Sequence, residues 1–252
     1  SKQRVEGYRN FSTKLWNAAR FAEMNQCRLD PKFDPAKAKH TLNRWIISEA
    51  AKTAKEVSDG IVAYKFNESA GAIYRFVWNV FCDWYLELIK PVFNGDDEAS
   101  KAETRATAAW TLDQIVHLLH PFMPYVTEEL FQSFGKDRGL LISRPWPNLG
   151  DKLVDKAAVA EVDWVIRLVT AIRSERSDLN VPVAAKIPMT LIGASKETEK
   201  RLAAYQALIE RLARLESVTL AKAPPKGAIR IVQDEATACL SVAGLIDLNA
   251  EM

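Results

Sequence analysis

The sequence contains little glycine, little histidine and only three cysteines among its 252 residues. Its ten glycines form neither GxGxxG nor GxxxxGK[ST], so neither of the two common nucleotide-binding loops is encoded. No apolar run reaches the ~20 residues that cross a bilayer, and the first residues, SKQRVEGYRN, are unlike a secretory signal. The cysteines are odd in number and far apart, which argues against a disulfide framework. We therefore expect a cytoplasmic protein without a membrane span.

The net charge of +2 is unevenly distributed along the chain. Residues 1–44 carry ten Lys and Arg against four Asp and Glu, a net charge of +6, whereas residues 45–148 carry −4 and residues 149–252 are neutral. A basic segment on a near-neutral body is typical of proteins that bind a polyanion such as nucleic acid. A solvated helix face accounts for the same charges, so the charge alone leaves both interpretations open.

In the first part of the chain, apolar residues recur at steps of three and four, which predicts amphipathic helices. Pro91 is expected to end the third helix, and Pro124 fits the first turn of the fifth, where no backbone donor is needed. Five such helices joined by short loops make a helical bundle, which we assign to residues 1–148. The predicted helices cover residues 4–24, 38–64, 66–90 and 97–119 and a segment that begins at Pro124.

The segment RPWPN changes the pattern, because prolines on both sides of Trp146 prevent a regular helix. We expect it to cross the surface of the bundle and to mark a boundary. Residues 149–252 are then predicted to form a small α+β module. Because the helical bundle is the larger part, the predicted fold class of the whole chain is mainly α. Its predicted elements are helices at 153–177 and at 195–214, where Ser195 is the N-cap, and short strands at 186–193, 216–222, 228–233 and 237–243.

Several chemically capable side chains have structural explanations that the sequence favours. His117 and His120 are spaced HxxH, without the i,i+4 spacing and the helping Glu of helical zinc sites. Cys82 has no histidine near it in sequence and is expected to be a buried structural thiol. Asp83 and Glu87 lie one helical turn apart, and ion pairing with a neighbouring helix is favoured over an acid–base pair. No catalytic site and no metal site is therefore predicted in this chain.

Two arginines of the α+β module lie one helical turn apart in the sequence RSERSDLN. Arg173 and Arg176 are placed to contact a backbone phosphate or to pair with Glu175 and Asp178. The pairing is the favoured interpretation.

The first helix combines cations, amides and aromatic rings away from its apolar stripe. That stripe is predicted to comprise Val5, Tyr8, Ser12, Leu15, Ala19 and Ala22. One face carries Asn10, Lys14, Asn17 and Phe21, and the adjoining face carries Arg9, Thr13, Trp16 and Arg20. Proteins bind unpaired bases with such a mixture: cations hold phosphates, amides read base edges and rings stack on bases. The alternative is that Asn17 and Phe21 pack against a neighbouring helix, and spacing alone does not decide.

Six segments in this order resemble the C-terminal part of bacterial valyl-tRNA synthetases and together cover essentially the whole chain. They are YRNFSTKLWNAARF (8–21), NRWI (43–46), FVWNVFCDWYLELIKP (76–91), LHPFMPYVTEELFQ (119–132), IRSERSDLNVP (172–182) and AGLIDLNAEM (243–252). The FCDWYLE run and the AGLID sequence favour the valyl family over its isoleucyl and leucyl relatives. The resemblance implies the anticodon-binding helical bundle of a class I synthetase, followed by a small α+β module that leads toward a coiled coil.

The resemblance also implies a function. The full enzyme would be a valine–tRNA ligase that uses ATP and Mg²⁺, but the HIGH-like and KMSKS-like motifs of the catalytic domain are absent from this sequence, as is the editing domain. This chain would then have no cofactor of its own and would bind, as a monomer, the anticodon stem-loop of tRNA-Val. We match the first helix to that role, with Arg9, Asn10, Lys14, Asn17, Arg20 and Phe21 as tRNA-binding residues. The competing interpretation is a helical protein–protein interaction module without RNA binding.

Overall fold

The computed structural model describes residues 2–135 and 137–241. The chain forms two compact units: the first ends at Val159, the second begins at Ala160, and the division falls within helix α8 (Lys156–Asp178). The boundary placed at 148/149 from the sequence lies earlier in the chain. Residues 149–155 group with the first unit because they are bound there. The Ser48 hydroxyl donates to the Leu153 carbonyl at 3.1 Å, and Arg44 donates to Asp155 at 2.7 Å.

The first unit is helical, as predicted. Its helices are α1 (Lys2–Met24), α2 (Thr41–Val62), α3 (Phe66–Arg75), a π-helix (Phe76–Tyr85), α4 (Leu86–Leu88), α5 (Lys90–Asn94), α6 (Glu98–Leu119) and α7 (Pro124–Ser133). Short 3₁₀ turns lie at Pro35–Lys37, Leu141–Ser143 and Asp151–Leu153. In the part of the chain that the structure describes, no helix combines the length and the apolar character that a bilayer span requires. The RPWPN segment does contact the bundle, since the Trp146 indole donates to the Ser58 hydroxyl of α2 at 2.9 Å.

The single helix predicted at residues 66–90 is wrong. After α3 the chain winds into a ten-residue π-helix, five of whose residues are aromatic. Phe81 and Tyr85 are fully buried, while Trp78 faces α1, so these rings occupy a wider arc than one stripe of period 3.6 covers. Pro91 does not end a helix; it lies in the first turn of α5, where its missing N–H leaves no hydrogen bond unmade.

Helix α1 is attached to the bundle by the middle and end of its length. The buried side chains include Phe11 and Leu15, and the Phe11 ring stacks on Tyr74 with its centroid 4.9 Å away. The predicted stripe is wrong in the first two turns, where Val5 and Tyr8 are 67% and 64% exposed. Among the described side chains of α1, packing against the π-helix therefore begins at Phe11.

A network of polar side chains joins α2, α6 and the π-helix. The Glu103 carboxylate accepts hydrogen bonds from the backbone N–H groups of Lys39 and His40, at 3.0 and 2.9 Å, and from the Asn43 amide at 2.9 Å. Asn43 is fully buried and accepts the Tyr85 hydroxyl at 3.0 Å. Burial acts to raise the pKa of Glu103, but these hydrogen bonds outweigh it and hold the pKa below its usual value. The ionised carboxylate therefore fixes the start of α2.

The second unit has the α+β composition that was predicted. After α8 come β1 (Ile187–Ile192), α9 (Lys196–Ala213), β2 (Leu215–Ala221), β3 (Ile229–Gln233) and β4 (Ala236–Leu240). The strand order is β2-β1-β4-β3, with β1 and β2 parallel and the other neighbours antiparallel. The Ser195 cap is confirmed, since its hydroxyl accepts from the Thr198 N–H at 3.2 Å. Residues 242 and 243 of the last predicted strand lie outside the described residues.

Replacing Glu103 by alanine is expected to lower the free energy of unfolding by about 1–3 kcal/mol, because the Asn43 amide and two backbone donors lose their acceptor. The matched control is Glu98→Ala on the same helix, whose exposed carboxylate pairs with Lys101 and binds no backbone donor of α2. We expect that control to change stability by less than about 0.5 kcal/mol. Urea unfolding followed by circular dichroism measures both variants; equal losses would contradict the role of Glu103.

The same network gives a pH dependence with a defined sign. The folded-state pKa of Glu103 lies below its unfolded value, near 4.5. Its stabilisation is therefore fully present above that value and is lost as the pH falls through the folded-state pKa. We expect the stability difference between wild type and Glu103→Gln to shrink below about pH 4. A difference of the same size at pH 7 and pH 3 would argue against an ionised carboxylate in the network.

Candidate nucleic-acid interface

Helix α1 presents four of its six predicted RNA-binding side chains to solvent. Arg9, Asn10, Asn17 and Arg20 are all exposed. Among the residues that the structure describes, neither Arg9 nor Arg20 has an acidic partner. Both guanidinium groups and both amides are therefore accessible to a ligand, and the helix backbone fixes their spacing.

Lys14 has a different environment from the other cations of α1. Its ammonium group forms an ion pair with Asp83 of the π-helix and lies 3.9 Å from the centroid of the Trp78 ring. The predicted ion pairing of Asp83 with a neighbouring helix is thereby confirmed, and Glu87 pairs with Lys90. Asp83 neutralises part of the positive charge that a phosphate contact at Lys14 would need. The ion pair and the ring contact also hold α1 against the bundle.

Phe21 and Asn17 differ in exposure, although they lie on the same face of α1. The Phe21 ring is half-buried, with its centroid 6.3 Å from that of Phe93 in α5 and the Lys90 ammonium 5.9 Å away. Asn17 is exposed. The alternative in which both residues pack against a neighbouring helix thus describes Phe21 in part and does not describe Asn17.

The end of α1 turns the chain back along the bundle. Gln26 adopts a left-handed conformation with φ 61°, the Cys27 N–H bonds to the Ala22 carbonyl at 2.8 Å, and the Gln26 N–H bonds to the Glu23 carbonyl at 2.9 Å. These bonds form a Schellman cap. The Arg105 guanidinium of α6 also donates to the Asn25 carbonyl at 3.0 Å, which ties the turn to the bundle.

This turn closes one side of a cleft of about 460 Å³ between α1, α6 and α7. The lining includes the apolar side chains of Ala19, Leu29, Ala109, Leu112 and Leu130. Trp16, Arg20, Glu23, Arg28 and Phe134 add rings and charges. The sequence places Trp16 and Arg20 on one helix face, but Arg28 and Phe134 come from a loop and from the end of α7. The tertiary fold brings these residues together, so the spacing of residues along the sequence does not predict the cleft.

The histidines that the sequence singled out bind protein groups. His117 Nδ1 lies 2.7 Å from the Asp113 carbonyl oxygen, and His120 Nδ1 lies 2.8 Å from the Thr127 hydroxyl. Across residues 2–135 and 137–241, there is no group of three or more His, Cys, Asp or Glu side chains that could hold a metal ion. The two histidines thus take part in hydrogen bonds of α6 and α7.

The two arginines of the module donate hydrogen bonds to backbone carbonyls. Arg176 is only 7% exposed and donates to the carbonyls of Arg214 and Pro182, each at 3.3 Å, and of Ala185 at 2.7 Å. Its predicted pairing with Glu175 and Asp178 is therefore wrong, because burial directs the guanidinium to carbonyls that would otherwise lack donors. Arg173 donates to the Leu212 carbonyl at 3.0 Å.

Comparison with known proteins gives one family match and close relatives. The family described as "Anticodon-binding domain of tRNA ligase" matches residues 43–191, more than half of the chain. Similar curated proteins are the valine–tRNA ligases of Caulobacter vibrioides, Rhizobium meliloti and Brucella suis, which are 54%, 52% and 51% identical. The matches cover 100%, 98% and 98% of this chain but only 28%, 26% and 28% of those proteins, so the chain spans little more than a quarter of their length.

A solved structure also aligns with the chain. It is the LeuRS of a ternary LeuRS–tRNA–LeuAMS complex from Agrobacterium radiobacter K84, 18% identical, with a TM-score of 0.43. The alignment covers 85% of this chain and 23% of that one. The similarity is too low to assign a shared fold.

The environment of the cysteines predicts slow thiol chemistry. Burial raises the pKa of Cys82, and likewise that of Cys27, to about 12. At pH 8 each thiolate should be about a thousandfold scarcer than that of an unperturbed thiol, so both should react slowly with a disulfide reagent such as DTNB. Mass spectrometry of each cysteine over time measures this, with urea-unfolded protein as the control. Rapid labelling of Cys82 in the folded protein would restore its interpretation as a nucleophile.

Proposed function

Because the chain belongs to the family of anticodon-binding domains of tRNA ligases, we propose that it binds the anticodon stem-loop of tRNA-Val through helix α1. The observation that carries this proposal is the exposed surface of α1. There Arg9 and Arg20, which have no acidic partner among the described residues, lie beside the exposed amides of Asn10 and Asn17. An anticodon is a short unpaired loop, whose bases can leave the stack and be read on their edges. The valine–tRNA ligase relatives support valine as the amino acid.

Within this proposal, we give each side chain a role that fits its exposure. Arg9 and Arg20 contact phosphates, since they are exposed and no acidic side chain of the described residues pairs with them. Asn10 and Asn17 read base edges, because a side-chain amide offers both a donor and an acceptor. Phe21 is half-buried and offers part of its ring to a base.

The chain would act as part of a longer enzyme. Its relatives are valine–tRNA ligases of which it spans little more than a quarter, so the ATP-dependent attachment of valine would take place in another part of that enzyme. The role of this chain would be recognition of the tRNA. We place the protein in the cytoplasm, where tRNA is charged, and we expect it to bind one tRNA as a monomer.

A salt titration of RNA binding tests the proposal. One RNA is a fluorescein-labelled anticodon stem-loop of tRNA-Val, and the other has its middle anticodon base changed. We expect the first to bind more tightly and both affinities to fall steeply with salt, because binding neutralises phosphates. Absence of binding to either RNA would overturn the proposal. It would favour the protein–protein interaction module, whose apolar contacts with a partner would be nearly insensitive to salt.

Two substitutions separate base reading from phosphate binding. Asn17→Ala should cost about 1–3 kcal/mol on the matched stem-loop and much less on the altered one, whereas Arg20→Ala should weaken both alike and reduce the salt slope by about 1. The exposed Asn67 of α3 and Arg230 of β3 supply the matched controls Asn67→Ala and Arg230→Ala. Identical profiles for Asn17→Ala and Arg20→Ala would contradict the assigned roles.

A further inference from the structure

We propose that the cleft between α1, α6 and α7 holds one unpaired RNA base, stacked on Trp16, with Arg20 and Arg28 on the adjoining phosphates. This inference rests on the RNA binding proposed above and adds a second contact. Trp16 and Asn17 are neighbours in sequence and therefore point about 100° apart on the helix. The cleft is thus a site distinct from the face that carries Asn10 and Asn17.

The cleft has the size and the lining that a planar ring requires. Its volume of about 460 Å³ lies within the range of small-molecule sites, and most of its lining residues are apolar. Trp16 is 40% exposed, whereas Trp45 and Trp164 are buried in the cores of their units. Among the described residues, the Trp16 indole N–H has no hydrogen-bond partner. An exposed ring beside an apolar floor is the arrangement on which proteins stack unpaired bases.

The charges beside the cleft fit a polyanion better than an apolar peptide. Arg20 and Arg28 line it, and within the described part of the chain neither forms an ion pair. Arg9 continues the basic strip along α1 on the same side as Trp16 and Arg20, so a backbone that follows the helix would meet a cation on each side of the ring. Arginine is well suited to this role because it binds phosphate and also stacks on bases.

The loop that carries Arg28 is fixed before any ligand binds. The Schellman cap at Gln26 sets its direction, and Arg105 holds the Asn25 carbonyl at 3.0 Å. Preorganisation of this kind reduces the ordering cost of binding. The cleft therefore needs no rearrangement of α1 to admit a ring.

One carboxylate among the lining residues gives the cleft a chemical preference. Glu23 is exposed and lies one turn beyond Ala19 on α1. A carboxylate accepts hydrogen bonds from the exocyclic amino group of a base and repels the carbonyl oxygens of uracil. We therefore expect cytosine or adenine to be preferred over uracil in this cleft.

The test compares variants of this cleft with variants of a similar one. Trp146 is also 40% exposed and lines a cleft of about 390 Å³ with Arg144, so Trp146→Leu and Arg144→Ala match Trp16→Leu and Arg28→Ala. Fluorescence anisotropy at low salt would use the tRNA-Val anticodon stem-loop and hexamers of A, C or U. We expect Trp16→Leu and Arg28→Ala to weaken binding at least about fivefold, Trp16→Phe to restore most of it, and the controls to stay within about twofold.

The outcomes separate this inference from the proposed function. If Asn17→Ala weakens stem-loop binding while Trp16→Leu and Arg28→Ala do not, the anticodon face stands and the cleft inference fails. A protein segment would then be the better occupant. Arg28→Ala changes an exposed loop residue and guards against a folding defect in the Trp16 variants, which thermal unfolding would reveal. Equal affinity for U and C hexamers would refute the role of Glu23, and its substitution Glu23→Gln should reduce the preference.

Discussion

The orientation of α1, and with it the surface proposed to bind RNA, depends on the carboxylate of Glu103. That carboxylate fixes the start of α2 and binds Asn43, which in turn accepts the hydroxyl of Tyr85 in the π-helix. A buried amide left without partners is costly, so these groups specify one arrangement of the three elements. The π-helix then holds Trp78 and Asp83 where α1 can pack on them.

The contact between α1 and the π-helix decides which side chains of α1 are free. Lys14 pairs with Asp83 and lies over Trp78, and Phe11 stacks in the same aromatic cluster. Because one side of the helix is occupied in this way, its other residues are turned outward at fixed angles. The same packing that stabilises α1 therefore removes charge from one predicted RNA contact, whereas Arg9 and Arg20 have no acidic partner in the described part of the chain.

The sequence predicted the regular elements well where burial of one apolar face leaves a clear period, as in α2, α9 and β1. The sequence prediction failed where more than one face of a helix is buried, as in the π-helix. It also failed at Pro91, which was expected to end a helix but lies in the first turn of α5. The candidate site was predicted as a helix face. The partners of Lys14, and the approach of Phe134 to Arg28, involve residues distant in sequence, and no local pattern encodes them.

A helix with two accessible faces is well suited to a ligand whose bases point in different directions. An unpaired loop can turn successive bases outward, whereas a double helix presents them in one stack. Asn17 and Trp16 lie about 100° apart on a backbone that does not bend between them. One rigid element can then read a base edge on one side and stack a second base on the other. In the proposed complex both contacts would share the phosphates between them, so a base already bound would lower the ordering cost of the next.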